Sequence, residues 1–260
     1  MIPKIIHYTW FSEQEFPETI KKCIDSWKKH LPDYKFVLWN MESIKDLNVD
    51  FVKEALSVKK WAFASDYVRM YAIYKYGGIY LDTDVFLHKS LNSILENDFF
   101  IGREISWHIC GHDTVNWLTS HCFGAIENHP YLAKCMEYYE NTHYILTNNK
   151  NLPIELQYNP HILPYIQAII AKQFGYLWNV SQNYMQYLNA PIHITIYPSN
   201  YFDGKSSEKE CFCTHLALGS WREYSMYEPK YNLKYKILWR IELLLKKVLE
   251  KFKYTLIKLT

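Results

Sequence analysis

The 260-residue chain is expected to fold as an α/β domain with a mainly parallel central sheet. Three observations lead there. Strand-like and helix-like segments alternate as β-α-β-α-α-β through the N-terminal third. A long apolar helix pattern stops at Gly77-Gly78, the usual helix terminator. The apolar run that follows ends abruptly in Asp82-Thr83-Asp84, at the carboxyl end of a strand, where open α/β sheets bind ligands.

The elements follow in order. Residues 2–9 (IPKIIHYT) read as a first strand ending at Trp10, and 18–30 as a helix closed by Pro32. KFVLW at 35–39 is a second short strand, with a helix from about 50 to 58 behind it. Residues 61–76 form a longer helix and 79–82 a strand. Residues 98–102 (DFFIG), 121–126 (HCFGAI) and 193–197 are strand-like, while 130–140 and 162–173 read as helices. Residues 203–210 (DGKSSEKE) form a polar loop. Between 231 and 260 the apolar positions Ile237, Ile241, Leu244, Leu245, Val248, Leu249 and Phe252 have helical spacing, with Lys and Arg on the other side.

A chain of this length buries a full core as one domain. The expected division is residues 1–225 for the α/β domain and 226–260 for a basic amphipathic helical tail. Residues 231–260 hold eight Lys/Arg and two Glu, so that +6 sits in the tail and −4 in the rest of a chain of net charge +2. A near-neutral body with one basic end argues against nucleic-acid binding. Such a tail suits an anionic membrane surface, and equally suits packing on the domain. The six cysteines include no C-x-x-C pair, and the N-terminus lacks a signal-type apolar run. A cytoplasmic location, at the inner face of the membrane if the tail docks there, is the expectation. Aromatic content is high at 17%, compatible with stacking on bases or sugars and equally with Tyr-rich packing.

The chemistry is expected to centre on Asp82 and Asp84. Strand alternation would point both to one side. Two such carboxylates repel each other unless a cation lies between them, and oxygen ligands suit Mg2+ or Mn2+. An ion with open positions commonly holds phosphates. Alone, D-x-D is a common turn motif; its place after a buried strand is what raises it. One helix upstream, Ser65, Asp66 and Arg69 are the chief polar positions in an otherwise apolar helix, and Asp66 and Arg69 share a face. A buried ion pair is costly unless further satisfied, which favours a polar ligand beside it. Trp10, at the end of the first strand, can stack on a base or pack in the core. Thr214-His215 and Gly219-Ser220-Trp221 supply late candidates, although a lone His is more often structural.

Taken together, IPKIIHYTW, SDYVRMYAIYKYGGIYLDTDV and HLALGSW resemble the DXD-containing glycosyltransferases of family 32, which include capsular-polysaccharide sugar transferases. More distantly they are similar to the glucosyltransferase domains of large clostridial toxins. The resemblance implies a GT-A fold, Rossmann-like and nucleotide-sugar-binding, with a divalent cation, Mn2+ or Mg2+. It implies that Asp84 is the direct metal ligand and that Asp82 contacts the ribose or a metal-bound water; where the toxin relatives carry an acid before the Ser-Trp segment this chain departs from the pattern and has His215 nearby, so the expected metal set is Asp82, Asp84 and His215. It implies a donor-binding set of Thr9, Trp10, Asp66, Arg69, Tyr80, Asp82, Ser220 and Trp221, with Asp66, Arg69, Asp82, Asp84 and Trp221 serving catalysis. The expected donor is a nucleotide-diphosphate sugar, UDP-sugar favoured and GDP-mannose open. The expected acceptor is a glycan or lipid-linked hydroxyl in surface polysaccharide synthesis, with retention of configuration. Two rival readings are a haloacid-dehalogenase-type phosphatase and a non-catalytic sugar-binding module. The phosphatases usually carry their acid pair on the first strand, with Thr or Val where this chain has Phe86.

Overall fold

The computed structural model describes residues 1–110, 113–151, 154–204 and 209–218. The expected helix over 231–260, the 225/226 boundary, Gly219, Ser220 and Trp221 lie outside the described residues.

The chain begins as expected, with β1 (Ile5–Thr9), α1 (Glu18–His30), β2 (Lys35–Trp39), α2 (Asp50–Ser57), α3 (Trp61–Tyr76) and β3 (Gly78–Leu81). Next come β4 (Val85–Leu87), β5 (Phe99–Cys110), β6 (Asp113–Ala125), α4 (Pro130–Glu140) and α5 (Ile154–Gln157). The described chain closes with α6 (Leu163–Lys172), β7 (Gln186–Leu188), β8 (Ile194–Tyr197) and β9 (Cys213–His215). The main sheet has the order β2-β1-β3-β6-β5-β8-β7, and β4 and β9 pair separately. β2, β1, β3, β5 and β8 run one way, and β6 and β7 run against them. The α/β class with a mostly parallel sheet is therefore observed.

Side-chain alternation splits the sheet into two packed faces. Tyr80, Phe99, Ile101 and Phe123 face the cluster that includes residues of α2, α3, α4 and α6. Ile6, Ile79, Leu81, Phe100 and Cys122 face the cluster built with α1. In α1, buried Ile20, Cys23, Ile24 and Trp27 recur at helical spacing, one apolar stripe against the sheet. Trp27 Nε1 donates to the Val85 carbonyl (2.6 Å), and Ser26 Oγ accepts from the Leu87 N–H (3.0 Å). α1 thereby anchors the strand that leaves the acid pair. α3 buries residues on all sides, Ser65, Asp66 and Arg69 included.

The α3–β3 joint depends on its glycines. Gly77 has φ 60° and Gly78 φ 108°, a region that side chains disfavour. A Cβ on Gly78 would lie 2.6 Å from the Ile5 carbonyl, so β1 and β3 can approach only with glycine there.

Three features depart from the sequence expectation. The strand-like pieces 98–102 and 121–126 are the ends of a long antiparallel hairpin, β5–β6. Residues 103–120 mix polar and aromatic types, so no apolar alternation announces them. The three-residue strands β4, β7 and β9 are too short to carry a pattern. Finally, Asp82 and Asp84 do not lie on the strand. β3 ends at Leu81, and the Val85 N–H bonds the Asp82 carbonyl (3.0 Å), closing a turn over 82–85. The turn, not strand alternation, sets the direction of the two carboxylates.

Candidate functional site

Parallel pairing brings the carboxyl ends of β1 and β3 together. His7 pairs with Tyr80, so Thr9 and Trp10 leave the sheet beside Asp82. β6 runs the other way and enters this edge with Ser120 and His121, whose carbonyl accepts from the Asp82 N–H (2.9 Å). β9 pairs with β4, setting His215 opposite Val85. The result is one cluster drawn from the turn after β3, from β6 and β9, and from the loop after β8.

Asp82, Asp84 and His215 each direct a ligand atom to within 4.8 Å of the other two. His215 Nε2 lies 3.2 Å from Asp84 Oδ1. Asp84 Oδ2 accepts from the Leu218 N–H (3.0 Å), and its carbonyl accepts from the Leu216 N–H (3.0 Å). The segment that leads to Gly219-Ser220-Trp221 is thus tied to the second acid of the pair. Burial raises the Asp84 carboxyl, but the bonds from His215 and Leu218 outweigh it and hold the group below its ordinary value. Burial would lower His215, yet Asp84, Asp82 and Asp203 hold it at about 9. The proton on His215 balances the two acids as the site stands; with that proton displaced, two carboxylates and an imidazole converging on one point fit a divalent cation such as Mn2+.

Asp82 is held from behind. Tyr80 OH donates to Asp82 Oδ1 (2.9 Å), and Thr9 Oγ1 lies 3.0 Å from Tyr80 OH. Arg69 Nη1 lies 3.2 Å from the same Asp82 oxygen, and the guanidinium covers the Tyr80 ring at 4.5 Å. Arg69 also donates through Nε to the Ser65 carbonyl (3.2 Å), through Nη1 to the Ser120 carbonyl (2.9 Å) and through Nη2 to Ser65 Oγ (2.6 Å). Its Nη2 pairs with Asp66 Oδ1 at 3.3 Å. All five guanidinium N–H groups therefore have neighbours within the protein. Asp66 bonds the backbone of Leu163 at the start of α6, and burial pushes its carboxyl up to about 7 while Arg69 opposes. Tyr80 is buried. Asp66, Arg69 and Tyr80 thus form a scaffold beneath Asp82, and of the expected donor residues Thr9, Trp10 and Asp82 lie nearer solvent. Trp10 is half-buried, packed on Phe16 (centroids 4.9 Å apart) with its N–H on the Gln14 carbonyl.

Two residues of the cluster were not anticipated. His121 is buried, its ring stacked on His215 with centroids 4.4 Å apart. Asp203, in the loop after β8, places Oδ1 3.5 Å from His121 Nε2. Burial lowers His121 to about 3 and raises Asp203 to about 6. The only sequence signals at these positions were a strand-like run beginning at His121 and an acid opening a polar loop.

The sequence of this region is similar to that of known proteins. Residues 17–101 match the sequence family described as "Glycosyltransferase sugar-binding region containing DXD motif". An inositol phosphoceramide mannosyltransferase of Schizosaccharomyces pombe is 33% identical over 141 residues, 51% of this chain and 36% of the relative. An uncharacterized glycosyltransferase of Acanthamoeba polyphaga mimivirus is 32% identical over 162 residues, 57% of this chain and 61% of its own. The chain thus spans about a third of the first relative's length. Among solved structures, the PaToxG glycosyltransferase aligns with a TM-score of 0.45 at 20% identity, covering 66% of this chain and 69% of that one. Asp66, Arg69, Asp82 and Asp84 all lie within the stretch that matches this sequence family.

Proposed function

We propose that the chain is a metal-dependent glycosyltransferase of the GT-A type. It moves a hexose-type sugar from a nucleotide-diphosphate donor to a hydroxyl of a glycan or glycolipid. The observation that carries this reading is the convergence of Asp82, Asp84 and His215 at one sheet edge, inside and beside the matched DXD region. In this reading Asp84 and His215 are direct ligands of Mn2+ or Mg2+, and Asp82 faces the ribose or a water of the ion. The cation supplies charge neutralisation for the departing diphosphate.

The protein's own groups have separable tasks. Arg69 and Tyr80 orient Asp82, and Asp66 balances Arg69 from the α6 side. Because the Arg69 donors are engaged by protein groups, its service to the donor is to aim Asp82. Thr9 and Trp10, at the neighbouring strand end, suit the nucleobase edge and face. Ser220 and Trp221, two and three residues beyond Leu218, close over the diphosphate. The acceptor hydroxyl attacks on the face the diphosphate leaves, which retains configuration.

The domain boundary at 225/226 and the docking of residues 231–260 on an anionic membrane belong to the same proposal, as does family 32 membership. A surface-glycan role is the one expected from the family resemblance. The name of the fission-yeast relative adds a second candidate, mannosyl transfer to a lipid-linked headgroup. With that addition GDP-mannose stands beside the UDP-sugars as a donor, and a lipid acceptor accords with a basic tail.

The test is a panel of UDP- and GDP-sugars in thermal-shift and donor-hydrolysis assays, with and without Mn2+. A shift and hydrolysis that need both the cation and one sugar nucleotide are expected. A panel with no responder, or phosphate release from simple phosphomonoesters instead, overturns the reading.

A further inference from the structure

The β5–β6 hairpin loses its register close to the acid pair. Arg103 pairs with Leu118 and the next pair is Trp107 with Asn116, so residues 104–106 of β5 oppose Trp117 alone. Extra residues of this kind bend a strand, re-aim its side chains and are common next to active sites. One contact records the bend. His108 Nε2 lies 2.7 Å from Glu104 Oε2, although four residues of regular strand span about 13 Å. The His108 ring lies flat on Trp117, with centroids 3.4 Å and planes 3° apart. Glu104, His108 and Trp117 thus form one unit, outside the residues 17–101 that match the family.

Three observations direct this unit to a ligand. The Glu104 carboxyl, raised by burial and opposed by His108, also feels the charges of Asp203 and His215, so the unit adjoins the acid-pair edge. Trp117 Nε1 is buried and has no hydrogen-bond partner among the described residues, and a buried donor left unpaired is costly. Tyr165, 5.6 Å from Trp117, and His161, 5.2 Å from Tyr165, continue the rings toward the start of α6, where Leu163 bonds Asp66. Aromatic faces with a few polar groups and one carboxylate suit a sugar ring, whose hydroxyls donate to the acid. We infer that Glu104, His108 and Trp117 form the acceptor subsite, in which Glu104 accepts a hydrogen bond from a hexose hydroxyl and His108 holds the carboxylate in place. That the sugar is the acceptor rests on the glycosyltransferase reading; that a sugar binds there does not.

The experiment adds methyl glycosides of mannose, galactose, glucose and N-acetylglucosamine to the full chain. Saturation-transfer NMR follows binding, and nucleotide release with Mn2+ and the responding sugar nucleotide follows transfer. At least one glycoside is expected to bind and to accept sugar. Glu104→Gln is expected to raise its KM at least about tenfold, as loss of a hydrogen bond to a charged group does, while the Mn2+-dependent thermal shift by the sugar nucleotide is retained. Trp117→Phe keeps a ring, removes the N–H and is expected to weaken the same glycoside; it decides if Glu104→Gln fails to fold by circular dichroism. If no sugar nucleotide responds but a glycoside binds the wild type and not Glu104→Gln, the sugar site stands and the glycosyltransferase reading falls. No glycoside binding to the wild type, wild-type glycoside affinity in Glu104→Gln, or loss of the nucleotide shift in that variant overturns the subsite.

Discussion

The earlier and later halves of the described chain are built differently and contribute different chemistry to one cluster. β1, β2 and β3 run parallel, with α1, α2 and α3 between them, and end in aromatic and acidic residues: Trp10, Asp82 and Asp84. The second half is an antiparallel hairpin with short strands beside it, and it brings His121, Asp203 and His215. The acids of the first half would repel one another in isolation. The second half supplies the His215 imidazole that counters them. The lesson is that the acid pair defines half a site: without β9 over the 82–85 turn, Asp84 would be a solvated turn residue.

Several experiments can break or sharpen this contrast. The largest expected effect belongs to the first half. Asp84→Ala should lower cation-dependent donor turnover by about a thousandfold, on the order of 4 kcal/mol of barrier, with the melting temperature little changed. Near-normal turnover would remove the acid pair from the chemistry.

Next comes the scaffold that joins the halves. Arg69→Ala leaves Asp66 and Asp82 uncompensated beneath the site and should cost roughly 3–5 kcal/mol in a urea-unfolding measurement. An unchanged midpoint would mean that the two carboxylates find other partners.

A pH series tests both halves at once, because each holds a buried neutral histidine outside the acid-pair cluster. His7 accepts from Trp39 Nε1 (3.1 Å) and bonds the Gly77 carbonyl (2.9 Å), so its second nitrogen carries the proton. His129 caps α4 by accepting from the Tyr131 N–H (3.3 Å). Burial lowers both to about 4. The unfolded chain takes up these protons below about 6.5 while the folded chain does not. Stability is therefore complete above that pH and falls as the pH drops toward 4, by up to about 3 kcal/mol per histidine. Melting temperatures measured between pH 7 and 4 should decline accordingly, and a His7→Gln variant should decline less steeply; a flat profile rejects the assignment.

The smallest effect isolates the contribution of the second half. His215→Ala should weaken Mn2+ binding by about tenfold while leaving the carboxylates in place. Unaltered Mn2+ affinity would assign the cation to the acids alone.

Much of the first half was readable without coordinates, because its signals are local. Ile20, Cys23, Ile24 and Trp27 mark a helix face within one segment, and Gly77-Gly78 mark a stop between adjacent elements. Asp66 and Arg69, three residues apart in an apolar helix, announced a buried polar pair from spacing alone. The second half carried no such local signal. His121 and Asp203 are 82 positions apart, and nothing in their neighbourhoods requires them to meet. Even within the legible half, the direction of Asp82 and Asp84 followed from a turn closed by one backbone bond.

By itself, then, the sequence determined the α/β class, most of the helices and the acid pair at a strand end, since periodicity and turn chemistry act over a few residues. Tertiary structure alone decided that Arg69 aims Asp82, that β9 sets His215 against Asp84, and that His121 and Asp203 stand behind it. Those contacts join strands distant along the chain, and long-range pairing is fixed by the packing of the whole sheet rather than by any short run of residues.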